Sequence, residues 1–298
     1  HLYYIIVPEQ FTMQTQKNVV EMHPGKGILN IDVLSFQRLA YRIFEETGGA
    51  REVLLDDTGK SMVLQKLVQQ HRKNLPYLGS QMNKPGYLDE VKSLISEFMQ
   101  YDIREEELQD MLGKTGEDSL LHMKMQDVGV LYQAFLQYLE GHYMTGEGVM
   151  DALKKAIPFS DKLKKSVLLL DGFTGFTPVQ MNVIRELLNV CDKVLVTVTM
   201  DAGENPLQLG KPHQLFYMSR KMIHTLSGLT SNLDDPVLLK DERKGRFGNS
   251  TSLDFLEKHL FRYRRSAYEK KQEEICIFAA ESPVKELEET ARRIRRLV

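Results

Sequence analysis

The sequence predicts an α/β fold: a parallel β-sheet flanked by helices and interrupted by an all-helical insertion. Three observations carry that prediction. Short apolar runs of strand length recur, each followed by a helical period. One run, residues 167–170, is continuously apolar and ends on a single acid, Asp171. That is the pattern of a buried parallel strand with a polar group at its carboxyl end. Between residues 50 and 162 the alternation stops and helical periodicity takes over.

Each element has its own signal. Residues 2–7, LYYIIV, predict a buried strand stopped by Pro8, with a helix from about Thr12. Residues 28–34 predict the next strand. Ser35 then suits a helix N-cap, because its hydroxyl accepts from an early backbone N–H. Phe36, Leu39, Ala40, Ile43 and Phe44 form the apolar face of that helix, and Gly48-Gly49 ends it. In the helical block, Met62, Leu64, Leu67 and Val68 suit one amphipathic helix. Leu88, Val91, Leu94, Ile95 and Phe98 suit a second, and residues 120–143 hold a long third. The α/β pattern returns at Ser166. Thr177 and Gln180 make a capping-box pair, with Pro178 at the favoured first helical position. Residues 193–201, KVLVTVTMD, predict a strand; a polar stretch over 202–212 and further helices to about 270 follow. Residues 273–283 read as a final strand and turn, with Ser282 capping a helix over 284–298. Val284, Leu287, Ala291, Ile294 and Val298 lie on one face of it.

The expected organisation follows. Residues 1–49 and 163–271 are two parts of one α/β domain, 50–162 the insertion, and 272–298 the start of a truncated second α/β domain. The chain opens inside a strand, so a longer parent polypeptide is expected.

Composition sets bounds. Of 298 residues, 42% are hydrophobic and 27% charged, as in ordinary soluble domains. A formal charge of -2 excludes a global basic field but not a local patch. No apolar run approaches the ~20 residues of a membrane span, and no secretory signal is visible. A cytoplasmic protein without a membrane partner is expected. Cys191 and Cys276 both sit in apolar sequence and read as small core residues in a reducing compartment. No histidine pair has metal-ligand spacing, and no Ser/His/Asp arrangement suggests a nucleophile. No catalytic residue is assigned.

Two motifs need weighing. Thr58-Gly59-Lys60-Ser61 has the tail of a phosphate loop, but Leu54 stands where the first glycine belongs. Lys60 therefore reads as a solvated residue at a helix start. Asp171 sits where nucleotide-dependent motors place a Mg²⁺-associated carboxylate; the alternative is a structural acid turning the chain with Gly172. Active motors carry Glu where this chain has Gly172, so nothing here polarises water. The arginines at 262, 264, 265, 292, 293, 295 and 296 offer two readings, phosphate tracking or, as the favoured one, solvated helix faces.

Three segments share one architecture: VPEQFTMQTQKNV, LSFQRLAYRIF and LLLDGFTGFTPVQ, each following a predicted strand. The second is similar to the TFHxLAxRLL segment of UvrD-type superfamily 1 helicases. Together, in this order, they resemble the VPxQxTF, SFSRLAxRV and DGFxxFTPxQ elements of the AddB/RexB family, the B subunits of bacterial helicase–nuclease complexes. The resemblance implies a P-loop helicase-like sheet of UvrD type that is not itself the motor. It implies a heterodimer with an AddA-like motor and nuclease protein. It also implies contact with emerging single-stranded DNA, scanned for Chi during double-strand-break resection and recombinational repair. For the full-length family it implies ATP, Mg²⁺ and an iron–sulfur cluster in a downstream nuclease domain. Cys191 and Cys276 cannot supply that cluster, and the Gly-rich phosphate loop would lie upstream of His1, so no cofactor is expected here.

The candidate DNA-reading residues are Gln10, Thr12, Phe36, Arg38, Tyr41 and Phe173, with Asp171 as a nucleotide- or Mg²⁺-associated acid. All fall at carboxyl ends of predicted parallel strands. Rings offer stacking platforms, Arg38 a bidentate grip on phosphate or a guanine edge, and Gln10 and Thr12 polar groups for base edges. Core packing is the alternative for Phe36 and Phe173, and a local cap or ion pair the alternative for Arg38. Two rival functions stay open: an active DNA-dependent ATPase whose phosphate loop lies outside this sequence, and a scaffold that docks the AddA-like partner.

Overall fold

The computed structural model describes residues 1–298 except 50, 51, 83, 85, 202, 240–246 and 263–265. Arg264 and Arg265 lie outside the described residues. In chain order the elements are β1 (Leu2–Ile6), α1 (Thr12–Met22), β2 (Ile31–Leu34), α2 (Phe36–Thr47) and β3 (Val53–Leu54). The helical block follows: α3 (Asp57–His71), α4 (Leu78–Gln81), α5 (Tyr87–Gln100), α6 (Glu105–Gly113) and α7 (Leu120–Leu139). Then come β4 (Tyr143–Met144), α8 (Gly148–Ala156), β5 (Ser166–Leu170), α9 (Pro178–Val190), β6 (Lys193–Val196) and α10 (Tyr217–Ser227). Last are α11 (Thr251–His259) and α12 (Pro283–Leu297).

The sheet is parallel, in the order β2-β1-β5-β6. Tyr3 pairs with Ile31 on one side and with Val167 on the other, and Val167 pairs with Lys193. Local chemistry sets the helix starts. The Ser35 hydroxyl accepts from the Arg38 backbone N–H at 3.3 Å, and Gly48 closes α2 at φ 77°. Thr177 and Gln180 cap each other reciprocally at the start of α9. The β6 strand stops at Val196, short of the predicted Asp201.

Two apolar cores form. The first packs Tyr4, Ile6 and Leu168 of the sheet against Leu39 and Ile43 of α2, Leu153 of α8, and Val183 and Leu187 of α9. Each such fully buried aliphatic side chain contributes about 1.5–3 kcal/mol relative to exposure. The second packs Leu64 and Leu67 of α3 with Ile95 and Phe98 of α5 and Leu131 and Phe135 of α7. Helix α8, which the sequence pattern groups with the insertion, packs into the sheet core. Inside the second core Asp127 is fully buried. Its Oδ2 accepts from the Tyr77 and Leu78 backbone N–H groups at 2.9 and 2.6 Å, which anchors the start of α4. Burial raises the Asp127 carboxyl, against the pull of those two hydrogen bonds.

The described residues divide into two compact units. The first holds His1–Asp201, Asn205–Gly210 and Phe216–Asp234; the second is chiefly Asp235–Val298. In the second unit α11 is capped by Ser250, whose hydroxyl accepts from the Leu253 N–H, and α12 by Ser282, as predicted. Arg293 lies over the Phe278 ring at 4.3 Å.

Four expectations need correction. Residues 273–283 are not a strand: no described neighbour supplies a ladder, and Ile277 is 93% exposed. The helical block carries a short parallel ladder, in which Val53 pairs with Tyr143 and Leu54 with Met144. Met62 is exposed, because the buried stripe of α3 runs through Val63, Leu64, Leu67 and Val68. Cys276 is exposed, with the Arg293 guanidinium 3.7 Å from its sulfur. Only Cys191 behaves as expected: it is largely enclosed, and burial pushes its thiol up to about 11.

Candidate nucleic-acid interface

Because all four sheet strands run the same way, their carboxyl ends share one edge. The ladder continues one residue past β1, β5 and β6. Val7 N–H donates to Leu34, Asp171 N–H to Ile6 and Thr197 N–H to Leu170, each at 2.9 Å. Pro8 then ends pairing on β1, since it has no N–H to donate. A 3₁₀ turn, Glu9–Phe11, leads into α1. Beyond β5, Gly172 adopts φ 76°, a left-handed conformation that L side chains resist, and turns the chain off the sheet.

This edge gathers the predicted residues, in different states. Arg38 is exposed, and its Nε donates to Glu9 Oε1 at 3.1 Å, so the turns after β1 and β2 meet. The contact with Glu9 is made through Nε. Gln10 is exposed beside it. Thr12 is buried and its hydroxyl donates to the Glu9 carbonyl at 3.0 Å, so it shapes the turn. Tyr41 is 38% exposed, edge-on to Phe44 on α2.

The two remaining aromatics form a cluster. Phe36 is only 5% exposed; its ring meets Phe173 at 5.7 Å and Phe176 at 6.3 Å, and Phe173 meets Phe176 at 4.9 Å. In this conformation Phe36 closes the core under the rim. Asp171 is partly enclosed and accepts a short hydrogen bond from the Thr197 hydroxyl, which ties β5 to β6 at the same edge.

Sequence reasoning passed over three residues. Phe11 is 48% exposed in the turn beside Gln10 and presents a ring at the rim. Its signal was inside the quoted VPEQF run. Glu9 holds Arg38 across 29 residues of sequence, and Thr197 meets Asp171 across 26. Neither pairing leaves a local pattern.

The phosphate-loop mimic is resolved differently from its expectation. Lys60 is not solvated. It lies inside the first turn of α3 and is 6% exposed, with Nζ 3.0 Å from both Glu147 carboxylate oxygens and 3.3 Å from Ser96 Oγ. Burial by itself would raise the Glu147 carboxyl; hydrogen bonds from its own backbone N–H and from Lys60 outweigh it and hold the group below the usual range. A lysine so committed does not fit a nucleotide phosphate. Among the described residues no group of three or more His, Cys, Asp or Glu is placed to hold a metal ion. No described helix is long and apolar enough to cross a membrane. The edge offers a guanidinium, an amide and two partly open rings, a set suited to holding a strand of nucleic acid by phosphate contact and stacking.

A family model described as ADDB, N-terminal, matches residues 1–257. The chain is similar to the B subunit of the ATP-dependent helicase/deoxyribonuclease of Lachnoclostridium phytofermentans, 43% identical over 302 residues that cover 99% of this chain and 26% of that protein. The proteins of the same name from Thermoanaerobacter sp. and Clostridium acetobutylicum are each 32% identical, over 100% and 97% of this chain and 26% and 25% of their own lengths. The chain thus spans about a quarter of the length of the curated relatives it matches.

Proposed function

Because the chain belongs to the AddB N-terminal family, we propose that it is the strand-reading part of an AddAB-type helicase–deoxyribonuclease acting in double-strand-break repair. The proposed fold is the P-loop helicase-like sheet of UvrD type, used as a passive reader beside an AddA-like motor. Single-stranded DNA drawn past the sheet edge is scanned there for Chi, in the cytoplasm. ATP, Mg²⁺ and an iron–sulfur cluster belong in this proposal to the rest of the complex.

The observation that supports the reading is the convergence of three separate segments on one sheet edge. Arg38, Gln10 and Phe11 stand exposed there, with Tyr41 one helical turn further along α2. Arg38 grips a phosphate through its Nη groups, the Gln10 amide addresses a base edge, and Phe11 and Tyr41 stack. Asp171 holds the rim together through Thr197. Lys60 weighs against a phosphate loop at residues 58–61, since its charge is spent inside the fold.

The test is fluorescence anisotropy of labelled oligo(dT) with the chain and its Arg38→Ala variant. The substitution is expected to weaken binding about 5–10-fold at low salt. It should also flatten the slope of log K against log salt by roughly 0.7, the value of one single-strand phosphate contact. Equal affinities and equal slopes would remove the rim from the proposal.

A further inference from the structure

Away from the sheet edge, a groove follows the seam between the two apolar cores of the first unit. Its larger lobe, a cavity of about 700 Å³, lies between the carboxyl end of α7, β4 and the ends of α2 and α8. Phe44, Leu136, Met144 and Met99 give it an apolar floor. A second lobe of about 330 Å³ continues it, with Met99, Leu136, Gly148 and Asp151 lining both. Methionine floors adapt to differently shaped apolar side chains.

The rim of this groove is acidic. Glu52, Glu140 and Asp151 line the larger lobe with Lys155, and Asp102 and Glu105 the smaller one with Arg104. Glu147 also lines the smaller lobe, but Lys60 neutralises it. The described lining therefore sets five exposed carboxylates against Lys155 and Arg104, with Arg104 3.9 Å from Asp102 and Lys154 also acting on Asp151, so the excess charge is negative but partly met. Asp102 and Asp151 are close enough to act on each other. Although Asp151 keeps solvent contact, the surrounding walls and then the charge of Asp102 raise its carboxyl. Both carboxylates also act on Tyr132, whose hydroxyl burial pushes up to about 12. Two repelling carboxylates beside an apolar trough are relieved when a cation arrives.

We propose that this groove is a docking surface for a basic amphipathic helix of a protein partner. The apolar floor takes a stripe of side chains at i, i+4 and i+7, in the helix-in-groove manner. Lysine or arginine flanks then meet the carboxylates, which favours encounter and sets orientation. The same charge turns away a phosphate backbone, so the groove is not a second DNA path. The inference stands whether or not the sheet edge reads DNA.

The test uses a fluorescein-labelled 18-residue helical peptide with a leucine stripe and lysine flanks, and its glutamate-flanked counterpart. The lysine peptide is expected to bind at least tenfold more tightly, with affinity falling as salt rises. Glu140→Lys with Asp151→Lys should abolish that preference, and Asp118→Lys, outside the groove, should leave it intact. Asp151→Lys alone, which should at least halve the preference, keeps the test open if the double variant fails to fold. Far-ultraviolet circular dichroism and urea titration serve as the independent readout of folding and should match the parent in all of them. Equal binding of the two peptides, or a preference that survives the groove substitutions, overturns the proposal.

Discussion

Two cation–carboxylate pairs, one at the sheet edge and one at the seam of the cores, have nearly the same length and opposite meaning. Arg38 and Glu9 meet at 3.1 Å with more than half of each side chain in solvent. Lys60 and Glu147 meet at 3.0 Å with side chains only 8% and 10% exposed. Water screens the first pair, so it holds little energy and can be exchanged for a phosphate. The second pair has lost its water and must stay matched. Burial, more than residue type or distance, separates a charge committed to the architecture from one left open to exchange.

The largest effect should come from breaking the buried pair. Lys60→Met leaves Glu147 enclosed without its cation and should cost about 3–5 kcal/mol of unfolding free energy, read by urea titration. Adding Glu147→Leu should restore most of it. A loss below about 1 kcal/mol would mean the pair is not desolvated, and the contrast would collapse.

A smaller effect concerns pH. The Glu147 carboxyl is held below its ordinary range in the folded state. Its contribution is therefore present at neutral pH, above the unfolded value, and is lost as pH falls through the depressed folded one. Between pH 7 and pH 3 the parent should lose stability more steeply than Glu147→Gln, since other carboxylates titrate alike in both. Parallel curves would show that Lys60 does not hold the charged form.

The smallest effect belongs to the exposed pair. Glu9→Gln frees Arg38 and should leave unfolding within about 0.5 kcal/mol of the parent. It should strengthen oligo(dT) binding about two- to threefold, opposite in sign to Arg38→Ala. Weaker binding in Glu9→Gln would mean that the carboxylate positions the guanidinium for DNA and does not compete with it.

Legibility in the sequence followed range. Ser35, Thr177 and Ser282 were readable as caps because capping acts over three residues. Strands β1, β2 and β5 were readable because apolar runs and the punctuation after them are local. The apolar face of α2 had already placed Phe36 inward, in competition with its assignment to stacking. Residues 273–283 misled because a short apolar run, here 275–280, reads as a strand whether or not a neighbour exists. At the sheet edge, the placement of Arg38 and Gln10 just beyond β2 and β1 was readable from the strands before them, while Glu9 and Thr197 waited for the fold to bring them to their partners. Lys60 was least legible, because its partner stands 87 residues away.

The ladder joining residues 53–54 to 143–144 bears on how this chain assembles. Strands β1 and β5 are adjacent in the sheet, yet Leu2 pairs with Ser166 across most of the first unit. Helices α3 to α7 have a core of their own, so they are able to condense early. Once they do, the ladder brings the two ends of that segment side by side and shortens the loop that β5 must close on β1. The entropy saved is small, on the order of 1 kcal/mol. It nonetheless predicts a sequence of events in time, with the helices gathering first and the sheet zipping up behind them.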